Sequence, residues 1–131
     1  MLFAWNPLLW AREGHSLWRC LFAGFVLIVV ILSLAPPSAL PPQAFSLWDK
    51  AQHALAFVVL AVFGLQAYPG RWPWVVGGLL VLGGAIELAQ ALVGWRTGDV
   101  ADWCADAIGM WVGGVLFKGL RQRTQTSQTT S

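Results

Sequence analysis

The residues of this chain that could do chemistry are a few acids and one histidine, set among apolar segments. Asp49 and His53 are four residues apart, so a helix would place them on one face as a hydrogen-bonded pair. Lys50 falls within the same turn. Glu87 and Gln90 are three residues apart and would also share a helical face. Both sets predict that paired polar side chains handle a proton or bind a ligand.

A third group of polar residues follows. Asp99, Asp102 and Asp106 stand at i, i+3 and i+7, which places them on one helical face. We therefore predict a single polar cluster of nine residues: Asp49, Lys50, His53, Glu87, Gln90, Arg96, Asp99, Asp102 and Asp106. Its five carboxylates and two basic side chains leave a formal charge of −3 while His53 is neutral. That charge predicts that an acid holds a proton, that His53 is cationic, or that a cation or a basic ligand binds.

Four apolar segments must position these residues, and they cover 16–35, 50–68, 74–93 and 100–116. About 20 helical residues span the hydrocarbon core of a bilayer. The chain has 131 residues, of which 57% are hydrophobic and 11% are charged. This composition excludes an ordinary soluble domain. We predict an all-α membrane protein built as a bundle of four transmembrane helices.

The regions outside these segments predict the domain organisation. We expect an interfacial N-terminal segment at 1–15, one membrane domain at 16–118, and a disordered tail at 119–131 that is rich in Gln, Thr and Ser. The stretch 36–46 contains two pairs of prolines and is predicted to be a loop. The chain is therefore expected to form a single membrane domain with an apolar interfacial segment before it and a polar tail after it.

Small residues accompany the predicted acidic faces. Gly83, Gly84, Gly109 and Gly113 are expected to let the helices approach closely. Carboxylates in hydrocarbon cost several kcal/mol, so the acidic faces should turn toward one another and form one polar pocket.

The distribution of basic residues predicts the orientation of the chain. With four crossings, both termini lie on the same side of the membrane. Two basic residues flank the helices on the other side, Lys50 and Arg96, against six on the terminal side: Arg12, Arg19, Arg71, Lys118, Arg121 and Arg123. The positive-inside rule therefore predicts cytoplasmic termini and an outward-facing polar cluster.

The order of these motifs resembles the VanZ-like family of membrane proteins. The resemblance rests on Asp49-Lys50-x-x-His53, Glu87-x-x-Gln90, Arg96, Asp102 and Gly109-x-x-x-Gly113, and it covers residues 45–115. It implies a multi-pass protein of the bacterial inner membrane and a role like the teicoplanin resistance from which the family takes its name. Asp106 departs from the family, which usually has asparagine at this position. An amide donor is therefore replaced by an acid.

We expect the pocket to bind a lipid-linked, cell-envelope or glycopeptide-type ligand at the outer leaflet. Two alternatives remain open, a small proton-coupled transporter and an intramembrane enzyme acting on a lipid head group. We assign no catalytic residue and no cofactor, and the sequence contains no nucleophile motif. His53, Glu87 and Asp102 are of types that bind divalent metals, but no close-spaced pair of ligands supports a site, so we assign no metal. Apart from the lipid bilayer and this ligand we expect no partner. A net charge of +2 without a basic stripe argues against nucleic acid, and the oligomeric state stays open.

Overall fold

The computed structural model describes residues 7–39 and 48–129, with side chains described at 15–36, 38–39 and 50–122. A short 3-10 turn, Pro37–Ala39, follows the first helix. The described residues form no strand, which confirms the predicted all-α class. They form four helices: α1 (Pro7–Leu34), α2 (Trp48–Ala67), α3 (Trp72–Val93) and α4 (Val100–Thr129).

Each of the four helices contains a segment long and apolar enough to cross a membrane, as the sequence predicted. These segments are His15–Leu34, Lys50–Ala67, Trp72–Val93 and Val100–Gln122. Large apolar side chains point away from the bundle. Trp74 is 81% exposed, and Val81, Leu92 and Trp111 are also largely exposed. Such surfaces suit contact with lipid chains rather than with water.

Glycine and proline set the ends of α3. The chain turns at Gly70, whose φ of 78° is in the left-handed region that favours glycine. Pro73 then occupies the first turn of α3, where the absent N–H costs no hydrogen bond. At the other end of the helix, Gly94 adopts a left-handed conformation and stops it. The following residues return the chain toward α4 through a short loop.

Helix α2 lies at the centre of the bundle, where it contacts α1, α3 and, most extensively, α4. Close approach to α4 depends on two glycines. A Cβ at Gly109 would collide with the carbonyl group of Ala54, and one at Gly113 would lie 2.5 Å from the carbonyl oxygen of Val58. The two backbones therefore touch, which holds the polar faces of α2 and α4 against each other.

The other glycines differ in their surroundings. A Cβ at Gly83 would lie 2.9 Å from the Oδ2 atom of Asp106, whereas Gly84 has only an ordinary contact with Trp103 at 3.8 Å. Gly64, which the sequence analysis did not single out, faces Val75 across the α2 and α3 contact. Helix packing in the described part of the chain thus uses some of the expected glycines and one more.

The hydrophobic core lies along the central helix. Phe57 and Leu60 of α2, Leu79 and Ile86 of α3, and Met110 of α4 are almost fully buried. Side chains from α1 and the other helices pack around this group. The core positions the ends of the helices, where the polar side chains lie.

Helices α1 and α4 extend into both predicted terminal segments. Helix α1 begins at Pro7 and runs without interruption into the first membrane segment, and no further proline lies within it. Residues 1–6 lie outside the described part. Helix α4 continues to Thr129 instead of ending at a disordered tail. Gln, Thr and Ser are modest helix formers, and after Gly119 no glycine or proline interrupts the helix.

Candidate functional site

The candidate site lies at one end of the bundle, which we call the polar end. Here the carboxyl ends of α1 and α3 meet the amino ends of α2 and α4. Gln90 of α3 donates through Nε2 to the carbonyl oxygen of Ser33 in α1 at 2.9 Å, and Lys50 of α2 reaches Asp102 of α4 at 2.7 Å. The antiparallel course of the four helices therefore assembles residues that are distant in sequence.

Lys50 joins the amino ends of α2 and α4. Its Nζ atom lies 2.8 Å from Oδ2 of Asp99 and 2.7 Å from Oδ1 of Asp102. Asp102 is buried, with 7% exposure, while Asp99 is exposed. Asp99 also caps α4, since its Oδ1 accepts the backbone N–H of Ala101 at 2.8 Å. These hydrogen bonds, foremost the one from Lys50, hold the pKa of Asp99 below its usual range.

His53 and Asp106 form the buried pair of the site. The Nδ1 atom of His53 lies 3.2 Å from Oδ1 of Asp106, and the Asp106 side chain is only 1% exposed. Its second oxygen, Oδ2, is buried and has no hydrogen-bond partner among the residues that the structure describes. It faces α3 at Gly83, where the absence of a side chain leaves room for it. A buried carboxylate oxygen without a donor is costly and calls for an explanation.

Glu87 connects α3 to the loop before α4. Its Oε2 atom accepts the backbone N–H of Asp99 at 2.7 Å, while Oε1 is buried without a hydrogen-bond partner. The loop can approach Glu87 this closely because residue 98 is a glycine. A Cβ at Gly98 would collide with the carbonyl group of Glu87. Gly98 thus allows the backbone N–H of Asp99 to reach the carboxylate of Glu87.

Three side chains from three helices converge at the centre of the polar end. His53 of α2, Glu87 of α3 and Asp102 of α4 each offer one nitrogen or oxygen atom, and these atoms lie within 4.8 Å of one another. No two of them are close in sequence, so spacing alone could not bring them together. The geometry is compatible with a shared proton, a cation or a ligand donor group.

The remaining predicted residues lie around this centre. Gln90 is 2% exposed and binds α1 rather than the acids. Arg96 is half-buried in the loop between α3 and α4. The side chain of Asp49 lies outside the described residues, and the described partner of His53 is Asp106. Sequence spacing missed the bridge from Lys50 to Asp99 and Asp102, although the antiparallel topology places the amino ends of α2 and α4 side by side.

Three described cavities lie elsewhere in the bundle. One of about 430 Å³ opens between α1 and α3 and is lined by Phe22, Tyr68, Arg71 and other residues near the opposite end. Two more lie against the second half of α4. None of these described cavities is lined by residues of the polar cluster.

Comparison of the chain with protein-family models, with curated proteins and with solved structures gave no match. The chemistry of the site is therefore inferred from its own groups. Four described carboxylates, two basic side chains and one histidine can exchange protons, attract a cation or accept hydrogen bonds from a ligand.

Proposed function

We propose that this chain is a VanZ-like, multi-pass protein of the bacterial inner membrane. In this proposal its termini are cytoplasmic, and its polar cluster binds the amine or N–H donors of a cell-envelope or glycopeptide-type ligand at the outer leaflet. The observation that carries it is the excess of partly buried acid at one end of a four-helix membrane bundle. The bilayer is the one partner that the apolar helices themselves indicate.

The charge of the site supports a ligand of this kind. Glu87, Asp99, Asp102 and Asp106 contribute −4, and Lys50 with Arg96 contributes +2, which leaves −2 with neutral His53. Buried carboxylates are stabilised by donors or positive charge. A ligand that presents an amine or several N–H groups would supply both.

The distribution of basic residues supports the orientation. Arg19 and Arg71 lie near the end opposite the cluster, and Lys118 and Arg121 lie in the second half of α4. Membrane proteins retain such residues preferentially on the cytoplasmic side. The polar end then faces outward, where a glycopeptide or a lipid-linked envelope precursor would meet it.

The depth of the acids favours binding at the surface over transport. Asp106 is six residues beyond Val100, and Glu87 is six residues before Val93. At 1.5 Å per residue each lies about 9 Å from the end of its helix, in the outer third of the span. An alternating-access carrier places its coupling carboxylate near the bilayer midplane. The geometry therefore supports a binding protein better than a proton-coupled carrier.

The test is survival of bacteria in teicoplanin. Cells expressing the wild-type chain are compared with cells expressing His53→Ala, Glu87→Gln or Asp102→Asn, at equal membrane abundance. His15→Ala is the matched control, since His15 lies at the opposite end, where its Nδ1 is 3.4 Å from the carbonyl oxygen of Gln66. We expect wild type and the control to protect, and the three site variants to lose about tenfold or more of that protection, as expected when about 1.4 kcal/mol of binding is lost.

Equal protection by all variants would contradict a role of the cluster in the phenotype. Absence of protection by the wild type would contradict the glycopeptide part of the proposal. The variants also separate the alternatives, because a carrier lacking the Glu87 carboxylate would lose proton-coupled flux, whereas a binding protein would keep partial affinity.

A further inference from the structure

We propose that the polar end binds one divalent metal ion through His53, Glu87 and Asp102. The proposal goes beyond the ligand described above and does not depend on it. The sequence alone predicts no metal site, because no two of these three ligands are close in the chain. In the folded chain, however, three helices each place one of these ligands at a common point.

The positions of the three donor atoms carry the first part of the inference. One imidazole nitrogen and two carboxylate oxygens lie within 4.8 Å of one another. Ligand atoms around a bound zinc ion are about 2.0 to 2.2 Å from the metal, so small side-chain rotations would bring all three to bonding distance. The backbones need not move, because Gly109 already holds α2 and α4 in contact.

Unsatisfied oxygens supply a second, independent observation. Among the described residues, Oε1 of Glu87 and Oδ2 of Asp106 are buried and have no hydrogen-bond partner, and the Asp106 side chain is only 1% exposed. Oδ2 faces Gly83, which is one helical turn from Glu87 on the same side of α3. One of these oxygens belongs to a proposed ligand and the other to the carboxylate that contacts His53, and together they indicate a missing positive group. The formal charge of −2 in the described cluster is the charge that one divalent ion neutralises.

Asp106 has the geometry of a residue that orients a metal-binding histidine. Its Oδ1 contacts Nδ1 of His53 at 3.2 Å. A carboxylate that contacts a metal-binding histidine fixes the orientation of its ring. Asp106 is thus a positioning residue, and the family's usual asparagine would serve the same histidine without the negative charge.

The donor set identifies the class of ion. One imidazole and two carboxylates suit zinc or manganese better than magnesium, which prefers oxygen ligands and keeps its water molecules. Three protein ligands leave a position open for water or for an anionic group of a bound molecule.

The experiment measures metal binding by the full chain in detergent or nanodiscs after chelator treatment and dialysis. Zinc is added alone, and its stoichiometry is measured by elemental analysis and calorimetry. Cobalt absorption spectra report whether nitrogen is a ligand. We expect one ion per chain in the wild type and in His15→Ala, and at least tenfold weaker binding in His53→Ala and Glu87→Gln. Asp106→Asn should retain the ion with lowered affinity, by about 10- to 100-fold.

Absence of a stoichiometric ion in the wild type would overturn the proposal, whatever the variants do. It would also fail if the site variants, shown to be folded by helical content and gel filtration, bound zinc as tightly as His15→Ala. Metal binding and teicoplanin protection are separate readouts. A chain that binds zinc but does not protect refutes only the proposed ligand, and a chain that protects without metal refutes only this inference.

Discussion

The two ends of the bundle use polar side chains in different ways. At the opposite end, Arg19 donates through Nε to the carbonyl oxygen of Ala67 at 3.4 Å, and His15 approaches that of Gln66 at the same distance. Arg19 also lies 5.2 Å from the ring centre of Tyr68. At the polar end, the contacts of Lys50 are 2.7 and 2.8 Å and involve carboxylates. One end has long contacts to backbone, and the other has short ion pairs.

This difference distinguishes polar side chains that stabilise the ends of helices from polar side chains that form a candidate site. The carbonyl groups at the carboxyl end of α2 lack helical partners, and basic side chains satisfy them with favourable charge. Helix ends therefore account for the polar contacts at the opposite end. The polar end contains more acid than helix capping needs. One aspartate caps α4 at its start, whereas Asp106 lies two turns inside and is nearly fully buried. This excess of acidic side chains identifies the polar end as a candidate site.

The largest expected effect comes from separating α2 and α4. Gly109→Ala would place a methyl group inside the carbonyl of Ala54, so the two helices must move apart. We expect a loss of at least about 3 kcal/mol of stability. Gly114→Ala is the matched control, because nothing lies within 4 Å of its Cβ position. It should be neutral or stabilise the helix by up to about 1 kcal/mol. Denaturant titration in detergent measures both, and equal effects would refute the close approach.

A smaller loss is expected when the lysine of the polar end is removed. Lys50→Met leaves the buried Asp102 without its ammonium partner, so we expect a clear loss of stability that is smaller than that of Gly109→Ala. Lys118→Met, at an exposed position on α4, is the control and should change stability by less than about 0.5 kcal/mol. The same unfolding measurement applies. A Lys50 variant as stable as the control would mean that the ion pairs do not hold the polar end together.

The hydrogen bond between α3 and α1 should contribute less. Gln90→Leu preserves size but removes the donor to the carbonyl of Ser33, and hydrogen bonds between membrane helices average about 0.6 kcal/mol with a maximum near 1.7. Gln66→Leu, at an exposed position near the end of α2, is the control. Thermal melting followed by circular dichroism compares them. The interpretation fails if the exposed substitution is the more damaging one.

The smallest effect concerns acid sensitivity. Asp99 has a lowered pKa because Lys50 and a backbone N–H stabilise its ionised form. Its contribution to stability is complete above the ordinary aspartate pKa of about 3.9, and it is lost as the pH falls through the lower value of the folded state. Asp99→Asn should remove this part of the acid dependence, and the effect is small because the residue is exposed. Melting temperatures between pH 3 and pH 6 test it, and identical pH profiles would contradict the assignment.

The fold was largely predictable because membrane helices are specified by composition. Four apolar segments are separated by Pro36-Pro37, Pro69-Gly70 and Gly94. Where these segments face one another along the chain, most of the predicted helix ends lie within two residues of the helix ends in the structure. The outer ends were not predictable in this way. Polar residues at 119–129 carry no apolar signal, although the helix continues through them.

Spacing within single helices predicted which polar residues share a face, but not which residues of different helices pair. The predicted contact of His53 with Asp49 involves a side chain outside the described residues, whereas the contact of His53 with Asp106 of another helix was not predicted. Spacing along one chain specifies which residues share a face. It does not specify the rotation of one helix against another, which is set here by contacts such as Gly109 with Ala54. The Lys50 bridge was missed for the same reason.

The orientation of the polar end is the basis of the proposed function and can be measured directly. Single cysteines are introduced at Thr97 in the loop before α4 and at Gly119 in the second half of α4, with Cys20 and Cys104 replaced by alanine. A membrane-impermeant maleimide is then applied to intact bacterial protoplasts. We predict that Thr97→Cys is labelled from outside and that Gly119→Cys is labelled only after permeabilisation. Labelling of Gly119→Cys, but not Thr97→Cys, in intact protoplasts would place the polar end in the cytoplasm and contradict an outward-facing site.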